Sequence, residues 1–140
     1  MQALMLITDS ATLLPTFRQI LVRAFPAALL RDTATPAEFV IDFLAHGRVY
    51  IEYYGCSLEA IGWDEVEIAC IKQVLPLHQH VYSLAYRGIE AAKKVILHLA
   101  NSNELLVDND CGTLMRGADF VRKVLDEPTW YWFDDLQLNA

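Results

Sequence analysis

The chain has 140 residues, of which 54% are hydrophobic and 21% charged, so it is long enough for one domain and too short for two. This composition excludes intrinsic disorder as the main state, because the apolar residues suffice to bury a core. Eighteen acidic residues against eleven Lys and Arg give a formal net charge of -7, the wrong sign for binding nucleic acid or an anionic membrane. We therefore expect one globular domain over residues 1–140 that binds neither.

The N-terminal residues and the cysteines indicate the compartment. Met1 to Ile7 are apolar but lack a basic leader, and Asp9 and Ser10 follow before a hydrophobic run of signal length can form. The three cysteines are an odd number without a CxxC spacing, which is typical of reduced thiols. The sequence predicts a cytoplasmic protein.

In the first half of the chain, apolar spacing predicts a strand, a helix and a hairpin. Residues 1–7 form the strand, and the helix that follows ends at Phe25-Pro26. Residues 27–37 are expected to be a strand fragment and a loop. From Glu38 the apolar residues alternate on both sides of Ala45-His46-Gly47, which indicates two antiparallel hairpin strands.

The second half continues the alternation of helices and strands. A helix opens at Trp63-Asp64-Glu65 and ends at Pro76, and a strand covers 81–86. Helices are predicted over 89–99 and 117–125, with short strands at 105–107 and 113–115 between them. The economical architecture is α+β: a single domain with a mixed β-sheet, a β-hairpin and about four covering α-helices. The helix over 89–99 could cross between neighbouring parallel strands.

Two patterns resemble metal sites, and neither is complete. His78 and His80 would share one face of a strand, but no third ligand is fixed near them. The acids from Asp108 to Asp110 resemble the start of a calcium loop, but the glycine falls at the fifth position and the twelfth residue is Asp119. We expect no metal and no cofactor.

A catalytic site is not predicted, although two arrangements define an enzyme alternative. Asp42 and Glu52, on facing hairpin strands, would act as a general acid and base if one were desolvated. Cys111, in a predicted turn, would need a nearby base to become a nucleophile.

Acidic and aromatic residues are concentrated together in two segments. Residues 50–71 contain five acids and residues 126–140 contain four, and neither segment has a Lys or Arg. Acids around aromatic anchors suit a basic protein surface, because charge speeds encounter and buried rings supply contact area. A solvated acidic face over core aromatics is the alternative explanation. The candidate partner-binding residues are Glu59, Trp63, Asp64, Glu67, Trp132, Asp134 and Asp135.

Four segments of the second half occur in a recognisable order. They are Tyr86-Arg-Gly-Ile-Glu-Ala-Ala-Lys-Lys-Val, Leu106-Val-Asp-Asn-Asp-Cys-Gly-Thr, Gly117-Ala-Asp-Phe-Val and Glu127-Pro-Thr-Trp-Tyr-Trp. Together they resemble the immunity proteins of bacterial polymorphic toxins, which are made beside a secreted or contact-delivered toxin. The resemblance implies a cytoplasmic antitoxin that binds one cognate toxin and blocks its active site or substrate path. It covers about fifty residues and assigns no binding residue.

Three functional hypotheses follow. The first is this immunity protein, whose partner is a cognate toxin protein. The second is a small enzyme that uses Asp42 and Glu52, or Cys111. The third is a homodimeric or larger homo-oligomeric regulatory or ligand-sensing domain that associates through the aromatic tail.

Overall fold

A seven-stranded β-sheet with helices on both faces forms the centre of the computed structural model, which describes residues 2–109 and 113–132. The strands are β1 (Gln2–Thr8), β2 (Leu29–Asp32), β3 (Glu38–Asp42), β4 (Arg48–Gly55), β5 (His80–Arg87), β6 (Leu106–Asp108) and β7 (Leu114–Arg116). The helices are α1 (Leu14–Ala24), the single turn α2 (Leu58–Ile61), α3 (Glu65–Val74), α4 (Ile89–Leu99) and α5 (Gly117–Asp126). These elements confirm the predicted α+β class and the hairpin.

The strand order is β2-β3-β4-β5-β1-β6-β7, and every pair in the described part of the chain is antiparallel. The sequence predicts a mixed sheet, in which some neighbouring strands are parallel, and the structure corrects this detail. Helix α4 does connect two parallel strands, β5 and β6, but they are not neighbours. The N-terminal strand β1 lies between them and pairs with both in the opposite direction.

The larger hydrophobic core lies on the first face of the sheet, beneath α1, α4 and α5. Alternate strand residues point into it, because successive side chains of a strand leave opposite faces. On the strand side it contains Leu4, Leu6, Phe39, Ile41, Val49, Ile51, Tyr82 and Leu84. Helix α4 contributes Ala92, Val95, Ile96 and Leu99, a helical spacing that produces one continuous apolar side.

A smaller core lies on the second face and is covered by α2 and α3. Ile7, Val81 and Leu106 project from three neighbouring strands into this core. Leu58, Trp63, Ile68, Ile71 and Leu75 pack over them from the helical side. On β2, β3 and β4, the residues that alternate with those of the first core point to the second face. Glu38, Tyr50 and Glu52 are examples.

The end of β6 connects the two cores through buried polar side chains. The indole N–H of Trp63 donates to the Asp108 carboxylate from the second face. The next residue, Asn109, is fully buried, and its amide Nδ2 donates to the carbonyl of Trp132 at 3.0 Å in the first core. Trp132 in turn donates from Nε1 to the Tyr86 hydroxyl at 2.9 Å. Two consecutive residues thereby hold a tryptophan on each face of the sheet, Trp63 through its indole and Trp132 through its backbone.

Two glycines hold the turn between β3 and β4 against the start of α4. Gly47 has φ +104° and Gly88 has φ +91°, a region that residues with a Cβ rarely adopt. A Cβ at Gly47 would overlap the carbonyl oxygen of Arg87, and a Cβ at Gly88 would lie 2.8 Å from the carbonyl oxygen of His46. The two backbones touch because neither position carries a side chain.

Within residues 2–109 and 113–132, no helix combines the length and apolar character needed to cross a bilayer. The sulfurs of Cys56 and Cys70 are free and both residues are exposed. Cys111 lies outside the described residues.

The buried carboxylate at the end of β6 gives a stability prediction. We expect Asp108→Ala to lower the free energy of unfolding by about 2–3 kcal/mol, because it leaves the Trp63 indole N–H buried without its acceptor. Urea denaturation monitored by tryptophan fluorescence measures the loss. The control is Glu104→Ala, which removes an exposed carboxylate two residues before β6. Equal effects of the two substitutions would contradict a structural role for Asp108.

Candidate functional site

Helices α2 and α3 form a short acidic unit on the second face. Gly62, with φ +130°, ends α2, and Asp64 then caps α3. The Asp64 carboxylate accepts from the backbone N–H of Glu67 at 2.8 Å, and the Asp64 N–H donates to the Glu67 carboxylate at 3.1 Å. This capping box satisfies two N–H groups that a helix start leaves free, and it places negative charge at the positive end of the helix dipole.

Charge differs between the helices on the two faces of the sheet. Residues 58–74, which form α2, α3 and their connection, contain Glu59, Asp64, Glu65 and Glu67, with Lys72 as the one basic residue. The helices on the first face carry six basic residues, Arg18, Arg23, Lys93, Lys94, Arg122 and Lys123, against three acidic ones. We call the surface formed by α2, α3 and the neighbouring strands the acidic side, although its open strands also carry Arg31, Arg48 and Arg87.

A pair of glutamates extends the acidic side onto the open strands. Glu38 and Glu52 lie directly opposite each other in the β3–β4 register. Partial burial raises the pKa of Glu52 above its usual value, and the neighbouring Glu38 charge raises it further. The repulsion between the two neighbouring carboxylates favours the protonated form of Glu52.

The predicted pairing of Asp42 with Glu52 is wrong. Phe43 N–H donates to the Gly47 carbonyl at 2.8 Å across the turn, which sets a register that places Asp42 opposite Arg48. Asp42 is four residues away from Glu38, the true partner of Glu52, or roughly 13 Å along the strand at 3.3 Å per residue. The alternation of Phe39 and Ile41 already directs Glu38 to the second face, so the correct turn geometry would have identified the pair.

The candidate contact residues fall into three groups. Glu59 is exposed on α2, and Asp64 and Glu67 are accessible but belong to the capping box. Trp63 and Trp132 lie in the two cores, with exposed fractions of 9% and 0%. Asp134 and Asp135 lie outside the described residues. The acids therefore remain candidates for contact, whereas the two indoles offer no ring to a partner in this conformation.

The described tryptophans of the aromatic tail are buried, whereas residues 133–140 of this tail lie outside the described residues. Trp130 and Trp132 contact each other and Phe120, with ring centroids 5.2 to 5.9 Å apart. This aromatic cluster completes the first core beneath α5. Its rings stabilise the fold instead of forming an exposed surface for a second copy.

Two exposed residues beside the acids, Val66 and Tyr54, were not among the candidate contact residues. Val66 is 73% exposed on α3 between Glu65 and Glu67, because Ile68 and Ile71 take the inward positions of the helix. Tyr54 is 49% exposed at an irregularity in the β4–β5 pairing. Helical periodicity would have placed Val66 outward, but the bulge at Tyr54 depends on pairing with a distant strand.

The described residues do not form a metal site. His80 Nδ1 is hydrogen-bonded with the Tyr53 hydroxyl at 2.9 Å, and its ring centroid lies 6.3 Å from that of His78. In residues 2–109 and 113–132, no three His, Cys, Asp or Glu side chains form a group that could hold a metal ion.

Comparison of the chain with protein-family models, with curated proteins and with solved structures finds no match.

The glutamate pair makes stability depend on pH in a defined direction. Because the folded state raises the pKa of Glu52, the folded protein holds its proton more tightly, and this contribution to stability is lost as pH rises above the ordinary glutamate value. We expect Glu38→Gln to raise the free energy of unfolding at pH 7 by about 0.5 kcal/mol or less, since the pair is partly exposed.

The same substitution should have a smaller effect at pH 4, where the repulsion is already weakened. Urea denaturation at both pH values measures the difference, with Glu59→Gln on the exposed side of α2 as the control. If Glu38→Gln stabilises the protein less at pH 7 than at pH 4, there is no repulsion between the two glutamates at pH 7.

Proposed function

We propose that this protein is an immunity protein that binds a cognate toxin and occludes its active site or substrate path. The observation that supports this most is the grouping of carboxylates on one side of the sheet. Glu59 and Glu65 on the helices and the Glu38–Glu52 pair on the strands all belong to the second face. A toxin that acts on nucleic acid or nucleotides must present positive charge to phosphate, and an acidic surface can occupy that site.

The acidic side combines two kinds of contact that a protein interface needs. Its carboxylates attract a cationic surface over a distance and raise the rate of encounter. Val66 and Tyr54 provide apolar area that can be buried after docking. These two residues take the role that the sequence had assigned to the tryptophans.

The segments that resemble immunity proteins build the scaffold beneath this surface. They include most of α4, β6 and the first half of α5, together with the Trp130–Trp132 cluster. Asp108, in the second of these segments, accepts from Trp63, which directly precedes the N-cap of α3. The resemblance and the acidic surface are thus linked, since one segment fixes where the acidic helix begins.

The test is co-expression with the toxin domain encoded beside this gene, followed by affinity measurement. We expect this protein to protect the cells and to form a 1:1 complex. Glu59→Lys/Glu65→Lys should weaken that complex by about ten- to a hundredfold at low salt, with a smaller loss at high salt because salt screens the attraction. Isothermal titration calorimetry measures both conditions.

The control is Asp126→Lys/Glu127→Lys at the end of α5, which makes the same change in net charge at exposed residues on the other side. Asp64 and Glu67 are left intact because their replacement would disrupt the capping box. Failure to protect the cells overturns the proposed function. Protection with equal weakening by both double variants overturns the assignment of the binding face.

A further inference from the structure

An open cavity of about 370 Å³ lies where the end of α1, the turn between β3 and β4 and the side of α4 meet. Most of its wall is apolar, and two basic side chains interrupt it. The lining residues are Ala24, Phe25, Pro26, Ala27, Ala28, Phe43, Leu44, His46 and Lys94. This volume falls in the range of small-molecule sites, which are concave, mostly apolar and carry a few polar groups.

The aromatic part of the wall is rigidly arranged. The rings of Phe25 and Phe43 meet edge to face with centroids 5.0 Å apart, and the His98 ring contacts Phe25 at the same distance on another side. Edge-to-face packing fixes the orientation of each ring. The cavity therefore offers a preformed surface to an aromatic or branched aliphatic group.

The charged part of the wall is positive. Lys94 is half-buried, and it forms no ion pair within 4.0 Å with Glu90, one helical turn before it, or with any other described residue. His46 lines the opposite side, in the turn after β3. In a chain of net charge -7, an unneutralised ammonium at the wall of an apolar cavity favours an anionic ligand.

Leu44 adds a third, independent observation at the rim. It adopts φ +61°, a left-handed conformation that is costly for a branched side chain, and it is 68% exposed. The Asp42 carboxylate holds this conformation by accepting from the Leu44 N–H at 2.7 Å. A strained residue that presents a large apolar side chain to solvent is a feature found at ligand and partner sites.

We propose that this cavity binds a small amphipathic anion, with an aromatic or branched aliphatic body and a single carboxylate, sulfonate or phosphate. The body would lie against Phe25, Phe43 and Leu44, and the anionic group would reach Lys94. The site lies on the first side of the sheet, away from α2 and α3, so it does not rest on the proposed toxin binding.

The test uses two dyes that share an aromatic body and differ in charge. The anionic probe is 8-anilinonaphthalene-1-sulfonate, and the neutral probe is N-phenyl-1-naphthylamine. We expect the anionic dye to bind the folded protein at one saturable site in a fluorescence titration. Lys94→Met, which keeps an apolar stem, should weaken that binding about tenfold, as expected for the loss of one charge-assisted contact, and should change binding of the neutral dye less than twofold.

Two further variants locate the site. Ala27→Trp adds bulk at an exposed lining position, where folding should tolerate it, and is expected to weaken both dyes at least fivefold. Lys72→Met on α3 removes a lysine from the other side of the sheet and should change neither dye. No saturable binding, or equal effects of Lys94→Met and Lys72→Met, would overturn the proposal. Full binding by Ala27→Trp would place the dye elsewhere and overturn it as well.

Discussion

The fold depends on a polar connection at the end of β6, where two adjacent side chains reach opposite faces of the sheet. Asp108 accepts from Trp63 in the smaller core, and Asn109 donates to the backbone of Trp132 in the larger one. Asn109 also accepts from the N–H of Thr113 at 2.9 Å, so the chain that leaves β6 is held where it returns as β7. Buried polar groups specify an arrangement when each has a partner, because misplacement would leave them unsatisfied.

This connection explains how a scaffold with two unequal cores can carry an ordered acidic surface. Helix α3 has a mixed polar and apolar composition, and its position rests on Ile68 and Ile71 below and on Trp63 at its start. Trp63 is held by Asp108, a residue of the central sheet. The carboxylates of α3 are therefore oriented by the sheet and by the capping box, so their placement does not depend on the helix forming by itself.

Local periodicity was sufficient to predict the strands and every helix except the single turn α2, because it reports which side of a helix or strand is buried. The spacing of Phe17 and Leu21 located α1, and the alternation of Val49 and Ile51 located β4. The placement of Trp63 and Trp132 was not predictable in this way. Their hydrogen-bond partners lie 45 and 46 residues away along the chain, so the residues that surround each tryptophan in the sequence do not indicate its partner. The same limit applies to the antiparallel sheet, because the insertion of β1 between β5 and β6 is a long-range pairing.

The glycine contact between residues 46–47 and 87–88 has a consequence for the cavity beside it. The turn that carries Leu44 and His46 is pressed onto the backbone at which α4, and with it Lys94, begins. The two walls of the cavity therefore have a fixed relative position without a ligand. A ligand that bound there would cost these walls little conformational entropy. A side chain at Gly47 would push against the Arg87 carbonyl, and one at Gly88 against the backbone carbonyl of His46, so either substitution would separate the two walls.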